Sequence, residues 1–230
     1  MILWAEFALA IATFAASHFL PSQGHFRARL IGAMGRPTYF TVYGAISVLV
    51  LIWLIGAAGR APHVALWSPD PWTRWIPNLI MPIAILLMAM ACGNRFPFTL
   101  GGRQDRSFDP RNPGLAALTR HPLPLSLALW SGAHIPPNGD LAHVLLFGGF
   151  VALSLGAIPV FDRRARAALS APMAADLFRA APVLRPTVLW DKDWLQSHGR
   201  GLVGRLVLTA FIWGAIYALH QQVIGVSPAV

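Results

Sequence analysis

The sequence is short of the residues that build soluble proteins and their usual active sites. Of its 230 residues only 12% are charged, against about 25% in soluble domains. A single cysteine excludes an internal disulfide. The chain contains no glycine-rich phosphate loop, HExxH, CxxC or CxxCH motif and no nucleophile elbow. These absences exclude the common soluble-enzyme motifs and covalently attached c-type haem.

What the chain has in abundance is apolar surface and positive charge. Hydrophobic residues make up 56% of it and its mean hydropathy is +0.55, which is typical of an integral membrane protein. The excess of 18 basic over 9 acidic residues gives a net charge of +9. In a soluble protein that excess would suggest nucleic acid as a partner. Here the basic residues lie between apolar runs, so they indicate membrane orientation and contact with anionic lipid.

Six apolar runs approach the ~20 residues that a helix needs to cross a bilayer. They are Ile2–Leu20, Tyr39–Ala58, Ile76–Gly93, His121–Ile135, Leu141–Phe161 and Leu202–Leu219. The predicted fold is therefore an all-α transmembrane bundle of about six helices, forming one domain over residues 1–230. The fourth run is short and ends at Pro136-Pro137, where a helix cannot continue. Such a span tends to line an internal site.

The connections between the runs differ in charge. The first, third and fifth are rich in arginine, whereas the second has two arginines and the fourth has none. The positive-inside rule then places the odd connections in the cytoplasm and both termini outside. The longest connection, Asp162–Gly201, contains an Ala-rich stretch (Ala165–Ala181) that predicts a short interfacial helix. The run Trp190–Trp194 is interpreted as an ordered segment at headgroup depth.

Histidines inside apolar runs are candidate functional residues because ionisable groups are costly there. His18 falls in the last turn of the first run, and it is either a metal or haem ligand or a histidine whose charge suits a helix C-terminus. His134 lies one turn after Trp130 and is either a ligand or a hydrogen-bonded cap of the Pro-Pro turn. Non-covalent haem b held by histidines is compatible with the sequence.

His121 begins the fourth run, next to Arg120, and is either a further ligand or a solvated histidine near the headgroups. Thirteen helical residues separate it from His134, a rise of about 20 Å with a rotation of about 140° around the axis. The two histidines therefore cannot bind one metal ion together. By depth, His18 pairs more easily with His121, and pairs with His134 only if the short fourth span sits deep.

Four other residues are candidate site components. Glu6, His143 and His220 fall at the outer ends of runs, where they form either a hydrogen-bond cluster or plain interface residues. Cys92, at the inner end of the third run, is interpreted as a small buried apolar side chain, and alternatively as a thiol that meets a metal.

Several segments together resemble the NnrU family of membrane proteins. The resemblance begins with Ser17–Ser22, continues through Ala61–Trp67, and is most specific in the block Arg120-His121-Pro122, Leu129–His134 and Asn138-Gly139-Asp140. The close of the chain, His220 to Pro228, is also similar to the family's tail. These segments cover essentially the whole chain.

The resemblance implies a multi-pass protein of the bacterial inner membrane, since NnrU proteins are associated with denitrification loci and with nitrite and nitric oxide reduction. The domain is also similar to the 15-cis-zeta-carotene isomerase, a membrane enzyme that uses haem b. By that similarity His18 and His134 match the haem-ligand histidines, and His121 matches a further histidine. Ser131 stands where the isomerase has a cysteine proposed as a switching ligand, so that chemistry is not expected here.

Three functions follow from the sequence. The first is a haem-binding redox enzyme or isomerase acting on a lipophilic substrate. The second is a non-enzymatic accessory or assembly factor that docks on a respiratory nitrogen-oxide reductase complex through its basic loops. The third, a small-molecule permease, is disfavoured because the chain has no internal repeat and no string of polar residues at mid-membrane.

Overall fold

The chain forms eight α-helices in the residues described by this computed structural model, which are 2–19, 24–92, 96, 98–100 and 108–230. They are α1 (Ile2–Phe19), α2 (Gly24–Met34), α3 (Arg36–Arg60), α4 (Trp75–Ala91), α5 (Pro122–His134), α6 (Leu141–Ala168), α7 (Ala171–Ala180) and α8 (Lys192–Ile224). Short 3₁₀ turns precede α4, α5 and α8, at Pro71–Arg74, Gly114–Ala117 and Pro186–Trp190. Within the described ranges the only β-structure is one isolated bridge, between Ala65 and Asp140.

Local sequence explains where the longest helix begins and ends. Asp191 caps the start of α8, because its carboxylate accepts from the backbone N–H groups of Asp193 and Trp194, as N-cap aspartates do. Gly225 ends α8 with φ 86°, a left-handed conformation that glycine adopts without strain. Pro182 and Pro186 in the preceding connection keep α7 and α8 from merging.

Five helices in the described part of the chain are long and apolar enough to cross a membrane. They are Ile2–Phe19, Arg36–Arg60, Pro71–Ala91 (with its leading 3₁₀ turn), Leu141–Ala168 and Lys192–Ile224. Most of their large apolar side chains are exposed in the isolated chain, as expected for surfaces that face lipid. The all-α membrane fold is thus confirmed, whereas the number of crossings and the side of the termini remain predictions.

The chain divides into two compact units, of which the first contains residues 1–68 and 139–146. Here α1 packs on α3, and Glu6 of α1 accepts hydrogen bonds from Trp53 and Arg60 of α3. A short antiparallel pairing adds the segment after α3, since Leu66 N–H donates to Gly139 O. A Cβ on Gly139 would lie 2.0 Å from Trp67 O. Only glycine therefore fits at this position.

The second unit contains residues 69–138 and 147–230. Its α4 packs against α5 and α8, with Leu87 and Met90 of α4 in a buried cluster that includes Trp194 of α8. Ser126 of α5 donates to Ala84 O of α4 over 2.7 Å. Arg205 of α8 donates to the carbonyls of Ala89 and Cys92 at the end of α4, which gives acceptors to a charge inside a span.

Within this unit α5 runs antiparallel to α6. Its C-terminal end contacts the early part of α6, where Trp130 lies 5.7 Å from Phe147 between ring centroids. The residue before its first turn, His121, contacts Phe161 and Asp162 near the far end of α6. The 15 residues from Phe147 to Asp162 rise about 22 Å, so α5 follows nearly the whole hydrophobic stretch of its neighbour.

Some boundaries and environments differ from the predictions. The fourth run gives a helix of 13 residues, too short to count among the spanning helices. The fifth connection is shorter than Asp162–Gly201, because α6 continues to Ala168 and α8 begins at Lys192. Hydropathy detects only the apolar part of a helix, and nothing in these ends breaks it. The interfacial helix predicted in Ala165–Ala181 is α7, formed by Ala171–Ala180.

Candidate functional site

His134 occupies the last turn of α5, half-buried among aromatic rings. Its Nδ1–H donates to Trp130 O over 2.6 Å, four residues back on the same helix. The imidazole lies 5.3 Å from Phe147 and 5.9 Å from Trp130 between ring centroids. Because the carbonyl can only accept, the proton is assigned to Nδ1 and the lone pair to Nε2. Nε2 makes no hydrogen bond to the described part of the chain.

His18 repeats this arrangement in the last turn of α1, as the sequence predicts. Its Nδ1–H donates to Phe14 O over 2.8 Å, with Ser17 Oγ also 3.1 Å away. The ring stacks on Phe14 at 4.1 Å and meets Tyr43 of α3 edge-on at 6.2 Å. Its Nε2 therefore carries the lone pair and is directed by a ring fixed on two sides. His18 belongs to the first unit and His134 to the second.

His121 has a different environment from the one expected of a solvated histidine. Its exposure is 0%, so that interpretation is wrong. Nε2 lies 3.0 Å from Asp162 Oδ1 and Nδ1 lies 2.9 Å from Thr99 Oγ1. A carboxylate can only accept, which assigns the proton to Nε2, and the Thr99 hydroxyl then donates to Nδ1. Both ring nitrogens are occupied.

Asp162 joins these groups. Arg120 binds it in bidentate geometry, with Nε 2.9 Å from Oδ1 and Nη2 2.6 Å from Oδ2. The carboxylate thus accepts three charged or polar donors, two from Arg120 and one from His121. We refer to Thr99, Arg120, His121 and Asp162 as the Asp162 cluster. Arg120 is only 6% exposed, so its buried positive charge needs the Asp162 carboxylate as a partner to be stable.

Aromatic rings enclose the Asp162 cluster. Phe96 meets His121 edge-on at 5.9 Å, Phe161 stacks over it at 6.1 Å, and Arg120 lies 4.7 Å from the ring centre of Phe178 in α7. His121 precedes α5 and lies outside the long helices. Burial lowers the pKa of its imidazole below the usual value, although the hydrogen bond that Nε2–H donates to Asp162 acts in the opposite direction. The neutral form is therefore favoured.

The cluster also fastens a distant segment of chain, residues 181–185. The third nitrogen of Arg120 donates to Ala181 O over 2.9 Å, and the Arg120 backbone N–H donates to Pro182 O. Thr119 Oγ1 donates to Val183 O, and Arg185 N–H donates to Leu118 O over 2.8 Å. Residues 118–120 thus pair side by side with 181–185, immediately before α5 begins.

The remaining candidates have separate partners. Glu6 pairs with Arg60, His143 lies 2.7 Å from Asp140, and His220 Nδ1 donates to Val226 O. Within the described ranges, no three His, Cys, Asp or Glu side chains are grouped so that they could hold a metal ion. Cys92 is exposed just after α4. Its interpretation as a buried side chain is wrong, because it follows the packed part of the helix.

Ser131, at the position where the isomerase has a cysteine, is fully buried. Its hydroxyl donates to Leu127 O over 2.6 Å on its own helix. A hydroxyl used in this way satisfies α5 internally and provides no soft ligand for a metal.

The sequence matches the family described as NnrU protein over residues 6–228. The chain belongs to the NnrU family. No curated protein and no solved structure matches it. The family match includes residues of both units, so His18 of α1 and His134 of α5 both lie within the matched part of the chain.

Sequence reasoning missed the acidic member of the site in this NnrU chain. The apolar pattern places Asp162 only at the start of a long basic connection. One local signal pointed to it, since it is an acidic residue at the end of an apolar run, directly before Arg163 and Arg164. Its pairing with Arg120, 42 residues earlier, has no signal at all in a single sequence.

Proposed function

We propose that this NnrU protein binds haem b in the bacterial inner membrane through histidine side chains, with His134 and His18 as the candidate ligands. Haem b, when bound, supplies a one-electron redox centre. Such a centre suits a step linked to nitrite and nitric oxide reduction, or a redox-dependent isomerisation of a lipophilic substrate. Each histidine is argued from its own surroundings.

The observation that carries the proposal is the hydrogen bond from His134 Nδ1 to Trp130 O. Histidines that bind a metal usually donate their other ring N–H to a carbonyl or carboxylate, which fixes the tautomer and the ring orientation. His134 already has that tautomer. Its Nε2 carries the lone pair and is the atom that would bind iron. Phe147 and Trp130 beside the ring limit the access of water to it.

His18 is supported by the same chemistry. Its Nδ1–H is used on Phe14 O, and its ring is held between Phe14 and Tyr43. A ring held in this way loses little conformational freedom on ligation. For His121, whose two nitrogens are both occupied, we propose no ligation.

The antiparallel course of α5 and α6 supports six crossings, with α5 as a short crossing segment packed against α4 and α6. Five crossings would place the basic connection after α6 on the outer side, against the positive-inside rule. In a chain with Cys92→Ser, single cysteines at Asn112→Cys and Pro137→Cys report the two ends of α5. An impermeant maleimide should label them from opposite sides of the membrane. Labelling of both from one side would refute the sixth crossing.

The haem proposal is tested by the visible spectrum of protein purified in detergent from haem-replete cells. The wild-type protein should show a Soret band and the reduced α-band of haem b. His134→Ala and His18→Ala should each lose most of the Soret absorbance or shift it to a high-spin position. A colourless wild-type protein that is folded by circular dichroism would contradict the proposal.

His198 offers a matched control, because it is also a helical histidine whose Nδ1–H donates four residues back, to Trp194 O. Its ring stacks on Trp194, and a Cβ on Gly114 would lie 3.8 Å from its Nε2. That edge therefore faces the backbone of its own unit. His198→Ala should leave the Soret band unchanged, whereas an equal loss at all three positions would mean that the band reports folding alone.

The alternative function, an accessory factor for a respiratory reductase complex, is supported by the exposed basic end of α6. Arg163 and Arg164 are exposed there and follow Asp162, whose charge is already paired with Arg120. Replacing both with glutamine should reduce co-purification with the reductase without changing the visible spectrum. This alternative fails if deletion of the protein leaves nitrite and nitric oxide reduction unchanged.

A further inference from the structure

We infer that Asp162 is a positioning residue that holds His121 in the neutral Nε2–H tautomer and, through Arg120, fastens residues 181–185 to the start of α5. His121 then serves this connection and not a metal. This role is the opposite of the sequence-based interpretation of His121 as a further ligand. The inference concerns the Asp162 cluster alone and does not require that haem is bound.

Both ring nitrogens and the backbone N–H of His121 have hydrogen-bond partners. His121 has two ring nitrogens, and Thr99 and Asp162 take one each at 2.9 and 3.0 Å. Its backbone N–H is also used, since it donates to Thr119 Oγ1. A metal could bind only after one of the ring contacts had broken. A metal on Nε2 would displace the proton that Asp162 accepts, and the largely buried carboxylate would lose one of its three donors, which is costly.

The opposite charges of Arg120 and Asp162 are paired inside the protein. Arg120 and Asp162 are both largely buried, with side-chain exposures of 7% and 17%. A buried guanidinium without a carboxylate is strongly unfavourable. The bidentate bond therefore fixes the plane of the Arg120 side chain, and this orientation directs its third nitrogen to Ala181 O. The carboxylate of Asp162 thus determines where residues 181–185 can lie.

The Asp162 cluster connects four parts of the second unit. Thr99 comes from the connection after α4, His121 and Arg120 precede α5, Asp162 belongs to α6, and Phe178 in α7 covers Arg120. Pro122 directly follows and is itself buried. The first turn of α5 is therefore placed by the same contacts that hold residues 181–185.

The tautomer of His121 is the direct readout, because a role in packing alone would not determine it. In ¹⁵N-histidine-labelled protein at pH 7.5, NMR should show His121 protonated at Nε2, whereas His134 and His198 are protonated at Nδ1. The His121 signals are assigned by their absence in His121→Gln, or by their shift in Thr99→Val if the first variant does not fold. An Nδ1–H tautomer for His121, or an iron-bound signal, would overturn the inference.

The connection to residues 181–185 is tested by amide hydrogen exchange with Asp162→Asn, which keeps the shape and removes the charge. Exchange at Arg120 and Arg185, which donate to Pro182 O and Leu118 O, should accelerate by at least about tenfold, the effect of losing one charged hydrogen bond. Asp176→Asn is the matched control, since Asp176 pairs with Arg179 on the exposed face of α7. Unchanged exchange in Asp162→Asn, or equal acceleration in the control, would refute the inference.

The two proposals fail in different experiments. If the wild-type protein contains no haem, the tautomer and exchange results still decide the role of Asp162. If His121→Gln abolishes the Soret band while α-helical content and exchange at Arg185 stay unchanged, His121 is a ligand and this inference is wrong. The assignment of His134 as a ligand is unaffected by that result.

Discussion

The two ends of α5 each carry a histidine, and their hydrogen bonds differ. At the start of the helix His121 is fully buried and both of its ring nitrogens have side-chain partners. At the end His134 is half-buried and uses one nitrogen on its own backbone. Both ring nitrogens of His121 are therefore used within a polar cluster, whereas Nε2 of His134 keeps a lone pair for a ligand. Residue type alone would not separate them.

The difference extends to the surroundings. Aromatic rings lie against both histidines, but only His121 also contacts a charged pair, formed by Asp162 of α6 and Arg120 before α5. A charged cluster of this kind orients backbone segments, because each member must keep its partner in a low-dielectric interior. An aromatic wall with one free imidazole nitrogen is closer to the surroundings of a haem ligand.

The largest expected effect on stability comes from removing the ion pair between Arg120 and Asp162 at the start of α5. Asp162→Ala leaves Arg120 buried without a carboxylate, and should lower the free energy of unfolding by about 3–5 kcal/mol. Thermal unfolding in detergent, followed by circular dichroism, measures it. Replacing both partners, as Arg120→Met with Asp162→Leu, should recover a large part of the loss. A single variant as stable as wild type would mean that the pair contributes little.

A smaller effect should distinguish the two histidines directly. His121→Gln should lower the free energy of unfolding by about 2 kcal/mol, because the hydrogen bonds of His121 with Thr99 and Asp162 are lost or distorted. His134→Gln should cost less than about 1 kcal/mol in haem-free protein, since only a bond to its own helix is lost. The same unfolding measurement compares them. Equal losses would remove the distinction between the two ends.

The smallest effect concerns two buried serines on α5. Ser126 donates to Ala84 O of another helix, and Ser126→Ala should cost about 1 kcal/mol. Ser131 donates to its own helix, and Ser131→Ala should change stability by less than about 0.5 kcal/mol, because that bond competes with the helix's own pattern. If Ser131→Ala is the more damaging of the two, the Ser131 hydroxyl stabilises more than its own helix.

Much of the helical architecture was predictable because long apolar runs have few alternatives in a membrane. Five runs correspond to helices long enough to span, and His18 falls in the last turn of α1 as expected. The ends of α3 and α8 extend beyond the apolar runs because helix propensity continues into polar sequence. Part of the third predicted span, Gly93, lies outside the described residues.

The site was predictable only in part. The location of His134 one turn after Trp130 follows from helical periodicity, and so does its separation from His121. The burial of His121 did not follow, because an arginine next to a histidine is typical of a headgroup position. Asp162, 42 residues away in sequence, neutralises the charge of Arg120. Hydrogen-bond partners so far apart leave no pattern in one sequence.

The amino-acid sequence by itself determined that this NnrU chain is a helical membrane protein, since apolar runs of this length are stable only as helices in lipid. It also determined that histidines are its candidate ligands. The tertiary structure alone decided which imidazole nitrogens are occupied. Hydrogen-bond partners are set by the approach of distant segments, here α6 and residues 181–185 against the start of α5. At the other end of the same helix, His134 donates from Nδ1 to its own backbone, so Nε2 has a lone pair to offer.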